Sequence, residues 1–221
     1  MTPSLPTGCV IALVGAESTG KTELARALAQ RLQERGTRTT LVSEYLREWC
    51  EREGRTPRPD EQQAIADEQT RRIDAAAALG VVVADTTALM TAVYSEQLFA
   101  DTTLYEGALA AQRRYAITLL AALDLPWVAD DMRDGPHARQ PTDTLVRAAL
   151  TGARLSFAVV HGTGGERLAS AWNAINSIAG NEGRARGRLD AKPASWSWPC
   201  EKCSDPQCEH KLFSDLIARR D

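Results

Sequence analysis

No apolar run in this sequence approaches the roughly 18 residues a helix needs to cross a bilayer. The opening residues, Met1-Thr2-Pro3-Ser4-Leu5-Pro6, have neither the basic start nor the apolar core of a secretion signal. A cytoplasmic protein without a membrane partner is expected. A surplus of basic charge is also missing: 26 Lys and Arg stand against 29 Asp and Glu, a net charge of −3. Nucleic-acid binders usually carry a clear basic bias, so nucleic acid is not an expected partner. The arginines at 184, 186 and 188 form a local exception that reads better as a solvated loop. Internal repeats are absent. Five cysteines in a reducing compartment read as thiols or metal ligands rather than disulfides. What remains is a chain of 221 residues, long enough for one α/β domain with a small appendage.

Within it stands Gly15-Ala16-Glu17-Ser18-Thr19-Gly20-Lys21-Thr22, which fits G-x-x-x-x-G-K-[ST]. The flanks suit the motif. Cys9 to Val14 is an apolar run fit for a buried parallel strand, and Leu24, Leu28 and Leu32 share one helical face behind the loop. Gly15 and Gly20 allow backbone conformations that turn successive N–H groups onto phosphate oxygens, and the helix N-terminus adds partial positive charge. Lys21 brings a full charge to the β- and γ-phosphates, and the Thr22 hydroxyl suits Mg²⁺. Glu17, Ser18 and Thr19 complete the loop. A chance glycine turn before a helix does not account for both flanks.

The rest alternates strands with helices. Thr39–Val42, residues 80–85, 116–123 and 155–160 read as strands, the fourth with a helical alternative. Helices are expected over 44–53, closed by Gly54, from an Asp60 N-cap through Ala78, and over 87–99, 106–113, 142–151 and 166–178. This predicts a parallel sheet of about five strands with helices on both faces, and a ligand site beyond the strands' carboxyl ends.

Residues at those ends carry the expected chemistry. Asp85 closes the third strand, where an acidic group meets the Mg²⁺ shell; helix capping is the plainer alternative. Glu44 follows the second strand in Ser43-Glu44-Tyr45. It suits either a base for an attacking hydroxyl or a carboxylate holding a sugar diol, with a dipole-favoured helix glutamate equally open. The segment Leu125-Pro126-Trp127-Val128-Ala129-Asp130-Asp131-Met132-Arg133-Asp134-Gly135 can close over phosphates, Arg133 screening charge with Arg139 as second choice. Trp127 suits stacking on a flat ring, with Asp130 and Asp131 near a cationic one. Alone, the segment would read as a solvated charged loop; its residue order is more specific than that. Gly162, Thr163 and Gly164, after the fifth strand, are expected to border a nucleotide base through backbone contacts.

These segments, with Gly162-Thr163-Gly164-Gly165-Glu166-Arg167-Leu168, resemble the ribosylnicotinamide kinase domain of the NadR family of bacterial NAD-biosynthesis proteins. The resemblance covers roughly residues 8–178. It implies a P-loop kinase fold and ATP-dependent phosphorylation of nicotinamide riboside to nicotinamide mononucleotide, with Lys21 and the loop amides on ATP, Thr22 and Asp85 on Mg²⁺, and Glu44, Tyr45, Trp127, Asp130 and Asp131 toward the nucleoside. The trifunctional relatives add a repressor domain and an adenylyltransferase with a His-x-Gly-His motif. This chain starts almost at the phosphate loop, and His137, His161 and His210 do not fit that motif, so neither activity is carried over. An Asn-Lys-x-Asp guanine signature is also missing. Two rivals remain, a kinase for another nucleoside or small alcohol and a nucleotide-switched interaction protein; a homo-oligomer is left open.

Residues 179–221 read as a glycine- and arginine-rich linker and a tail. Cys200, Cys203, Cys208 and His210 offer three thiolates and an imidazole within eleven residues, suited to a closed, structural Zn²⁺ site. Unliganded surface cysteines are the alternative, and a redox pair lacks the preceding strand.

Overall fold

The computed structural model describes residues 5–127 and 136–185. Five strands, β1 (Val10–Val14), β2 (Thr39–Val42), β3 (Val81–Asp85), β4 (Ile117–Ala121) and β5 (Ala158–Val160), form one sheet in the order β2-β3-β1-β4-β5. Every neighbouring pair is parallel. The helices are α1 (Lys21–Glu34), α2 (Tyr45–Glu53), α3 (Gln62–Ala77), α4 (Ala88–Phe99), α5 (Tyr105–Gln112), α6 (Arg139–Gly152) and α7 (Gly164–Ala185).

Alternation along the strands assigns the two faces. Ile11 and Leu13 of β1, Val81 and Val83 of β3 and Ile117 and Leu119 of β4 pack with Leu24, Leu28 and Leu32 of α1 and Ala171, Trp172 and Ile175 of α7. Val10, Ala12, Val82 and Ala84 pack on Ile73 and Ala76 of α3 and Ala111 of α5. Val14 and Leu120 pack on α4 and α6. The central strands are therefore apolar on both sides, as a parallel sheet between helix layers requires. One buried polar chain crosses the second face. Thr87 caps α4 and donates to Gln112 Oε1 (2.8 Å), whose amide donates to the Thr118 hydroxyl of β4 (2.9 Å).

Some boundaries differ from expectation. Asp60 does not cap α3: Pro59–Glu61 forms a 3-10 turn and Glu61 is the capping position, while the Glu61 carboxylate accepts the Arg58 N–H at 2.8 Å. The fourth strand is a strand as read, not the helical alternative, and is shorter, Ile117–Ala121. Helix α6 starts at Arg139 rather than Thr142, because Pro141 sits in the first turn, where an absent N–H costs nothing. The fifth strand loses Leu155 to Phe157, which pack beside α6 instead, with the Leu155 N–H on the Leu150 carbonyl at 2.9 Å. Helix α7 continues beyond Ile178 to Ala185.

Candidate functional site

At the carboxyl end of β1, Gly15 has φ 139°, and a Cβ there would lie 3.1 Å from the Ala121 carbonyl oxygen of β4. Ser18 (φ 53°) and Gly20 (φ 71°) are both left-handed, so the loop curls back on itself before entering α1. Such a curl gathers N–H groups into a concavity for an anion. No side chain caps α1, which leaves its first-turn N–H groups for such a ligand. Lys21 is only 9% exposed, and its ammonium donates to the Ala16 carbonyl at 2.7 Å, as does the Thr19 hydroxyl. The charge thus lies within the loop that would hold the phosphates.

Asp85 ends β3 directly beside this loop, in register with Leu13. It is 4% exposed, and Oδ1 has no hydrogen-bond partner among the described residues. An orphaned carboxylate oxygen at a phosphate loop, with the Thr22 hydroxyl at the head of α1, fits a hydrated Mg²⁺. Mg²⁺ keeps several waters and takes one or two protein ligands beside the phosphates, so a larger ligand cluster is not required. Among the described residues no group of three His, Cys, Asp or Glu could hold a metal alone. The loops after β1 and β3 are joined directly: Thr86 N–H donates to the Leu13 carbonyl (3.1 Å), and Met90 Sδ lies 3.4 Å from the Gly15 nitrogen.

Glu44 precedes α2 without capping it, and its Oε2 lies 3.8 Å from Arg47 Nε. The Tyr45 N–H donates to Gln69 Oε1 (2.7 Å), and the Gln69 amide reaches the carbonyls of Ser43 (3.3 Å) and Thr86 (3.4 Å). Gln69, on α3 and 2% exposed, thereby lashes the Glu44 loop to the Asp85 loop. The Arg72 guanidinium covers one face of the Tyr45 ring at 4.3 Å, and the ring packs against the Trp49, Cys50 and Ile65 cluster.

On the opposite side, Arg167 of α7 is 4% exposed. It donates to Asp124 Oδ1 (2.7 Å) and to the carbonyls of Gly162 (2.9 Å), Thr19 (2.8 Å) and Ala122 (3.1 Å). Asp124 Oδ2 accepts the Gly162 N–H at 2.6 Å. Burial pushes the Asp124 carboxyl up, but hydrogen bonds from Arg167 and Gly162 outweigh it and hold the group below the ordinary carboxylate range. Both backbone polar groups of Gly162 are therefore engaged, and the Thr163 carbonyl accepts the N–H groups of Glu166 (3.0 Å) and Arg167 (3.3 Å) at the start of α7.

Trp127 is half-buried, and its indole N–H has no partner among the described residues. Arg139 is buried at the start of α6, with Nε and Nη2 unpartnered among the described residues. Asp130, Asp131, Arg133, Cys200, Cys203, Cys208 and His210 lie outside the described residues. A separate 360 Å³ cavity between α3 and α5, lined largely by alanines with Thr70 and Arg114, contains no residue of the strand-end loops.

Sequence reasoning missed Gln69, Asp124 and Arg167. The signal for two of them is a polar residue on an apolar helical stripe. Gln69 falls four residues from both Ile65 and Ile73, and Arg167 four residues before Ala171.

A family model described as AAA domain matches residues 10–167, from β1 to Arg167 itself. The chain belongs to this AAA domain family. No curated protein sequence matches it. Among solved structures it is similar to NadR protein in complex with NAD and AMP-PNP, at 20% identity and TM-score 0.60, over 86% of this chain and 52% of that one. A NadR structure in complex with NR gives 19% identity and TM-score 0.62 over the same shares. Deoxyadenosine kinase from M. mycoides gives 14% identity and TM-score 0.55, over 76% of this chain and 99% of that one. At such identities the likeness shows the fold, a P-loop kinase fold, and bears out the resemblance read from the motifs at that level. This AAA domain chain spans about half the length of the NadR chains, 52%.

Proposed function

We infer that this chain transfers the γ-phosphate of ATP to the 5′-hydroxyl of a nucleoside, and that nicotinamide riboside, giving nicotinamide mononucleotide, is the acceptor. The observation that carries the reading is the buried Lys21 in a left-handed loop beside the unpartnered carboxylate oxygen of Asp85. Gly15 to Thr22 hold the phosphates, and Lys21 stabilises charge on the transferred group. Thr22 and Asp85 hold Mg²⁺, which offsets phosphate charge. The acceptor oxygen bonds to the γ-phosphorus, the bond to ADP breaks, and the hydroxyl proton passes to a carboxylate, for which Glu44 is the candidate and Asp85 the rival. Arg133 screens the phosphoryl group, and Tyr45, Trp127, Asp130 and Asp131 surround the nucleoside. Thr163 and Gly164 border the adenine, with Gly162 fixing their position. Residues 8–178 form the kinase domain, and 179–221 a tail with zinc on Cys200, Cys203, Cys208 and His210. No described helix is long and apolar enough to cross a membrane, in keeping with a cytoplasmic setting.

NadR structures in complex with AMP-PNP and with NR support the choice of substrates by likeness of fold. One observation favours a second reading, another nucleoside as acceptor: the likeness to deoxyadenosine kinase spans 99% of that chain. ATP consumption measured against nicotinamide riboside, adenosine, uridine and cytidine decides between them. Preferred turnover of nicotinamide riboside supports the first reading; higher turnover of another nucleoside replaces it with the second. Slow hydrolysis indifferent to all four would sink the kinase reading and favour a nucleotide switch.

A further inference from the structure

Arg167 does more than fill space behind the phosphate loop. Its guanidinium is nearly inaccessible, yet it donates to groups of three different strand-end loops: Thr19 after β1, Ala122 and Asp124 after β4, and Gly162 after β5. A guanidinium presents its donors in a rigid plane, so carbonyls it holds together cannot move independently. Peptide geometry gives each contact a direction. In a trans peptide the C=O and the following N–H point opposite ways, and no cis peptide occurs among the described residues. Holding the Thr19 carbonyl therefore aims the Gly20 N–H away from Arg167. Holding the Gly162 carbonyl aims the Thr163 N–H the same way with respect to its own peptide. Asp124 completes the arrangement by accepting both the Gly162 N–H (2.6 Å) and an Arg167 N–H (2.7 Å).

We propose that Arg167, held by Asp124, is a positioning residue that couples the base end of a bound nucleoside triphosphate to its phosphate end. One side chain orients a donor at each end: Gly20 N–H in the phosphate loop and Thr163 N–H in the loop after β5. The proposal rests on the nucleotide placement given under Proposed function and adds the residue that ties its two ends together. Neither Arg167 nor Asp124 touches the reacting atoms in this scheme.

The test compares binding of Mg²⁺-ATP with binding of Mg²⁺-tripolyphosphate, which has phosphates and no base, to the full chain by calorimetry. The parent should favour ATP. Asp124→Asn and Arg167→Ala should each lower ATP affinity by about tenfold, the scale of a lost charge-assisted hydrogen bond, while tripolyphosphate affinity falls less. Arg167→Lys should lie between, since an ammonium can meet Asp124 but cannot span all the carbonyls. Thermal melting accompanies each measurement. Asp124 is more exposed than Arg167, so Asp124→Asn carries the test if Arg167→Ala does not fold. A merely structural role would lower the melting temperature and leave the ATP-to-tripolyphosphate ratio at the parental value; that result overturns the coupling. A parent that binds tripolyphosphate as tightly as ATP overturns the nucleotide placement itself, and the two failures are thereby distinct.

Discussion

Lys21 and Asp85 are two buried charged side chains that their surroundings treat differently. The Lys21 ammonium is tied to a carbonyl of its own loop, so its charge is already oriented and largely out of water. Lys21→Ala should lower phosphoryl transfer by roughly a hundredfold or more, the usual cost of deleting a preorganised donor at developing charge, with the far-UV circular dichroism unchanged. Near-parental turnover in a folded variant would refute the assignment. Asp85 is the opposite case, a buried carboxylate with one oxygen unmatched. Burial of such a group is unfavourable unless something pairs with it. Asp85→Asn should therefore melt no lower than the parent without Mg²⁺, yet need more Mg²⁺ for turnover. If the variant melts markedly lower in the metal-free protein, Asp85 is a structural acceptor rather than a metal ligand.

At the scale of elements, two helices organise the loops through single polar side chains. Gln69 of α3 holds the loops after β2 and β3, and Arg167 of α7 holds those after β1, β4 and β5. Gln69→Leu keeps the apolar bulk and strands the Tyr45 N–H and the two carbonyls. We expect a stability loss of about 1–3 kcal/mol by chemical denaturation. We also expect a higher KM for the acceptor with ATP affinity little changed. Equal losses for both substrates would show that Gln69 supports the whole site instead. The same residues mark where the sequence was readable. Local signals were legible: Gly54, left-handed at φ 66°, closes α2 as expected, and β2 occupies Thr39–Val42 as its pattern predicts. The placement of the Gly15–Thr22 loop after β1 and of Asp85 at the end of β3 was legible because each is contiguous with its strand in sequence. The Arg167 clamp was not, because its partners lie up to 148 residues away and only the folded sheet brings them near. The early end of the Leu155–Val160 strand failed for a related reason: apolar character cannot tell a sheet position from a loop packed under α6.

Over the whole molecule, charge adds a dependence on pH. Hydrogen bonds from Arg71, then Arg72, bring the Glu68 carboxyl down to about 2, and bonds from Arg55 and the Arg58 N–H do the same for Glu61. Asp124 is depressed as well. A depressed folded-state pKa contributes stability that is complete above the unfolded value, about 4, and fades as pH falls through the folded one. Urea midpoints should thus hold from neutrality to about pH 5 and decline below about pH 4. Asp124→Asn should show a shallower decline than the parent, and an identical slope would mean that Asp124 does not sense the transition. The tail offers a separable test. Protein purified without chelator should contain about one equivalent of zinc, lost from Cys200→Ser with ATP affinity retained; less than about a tenth of an equivalent would exclude the site.

The central position of β1 has a further consequence, for the order of events on the ribosome. Its neighbours are β3 and β4, not the strand made next, and the Thr19 carbonyl waits for Arg167. On the ribosome the phosphate loop emerges well before the walls that shape it, which arrive only with residues 117–121 and 167. Domains rich in such distant pairings form late and all together. Chains stalled before Arg167 has cleared the exit tunnel should fail to retain ATP, and chains stalled well beyond it should retain it.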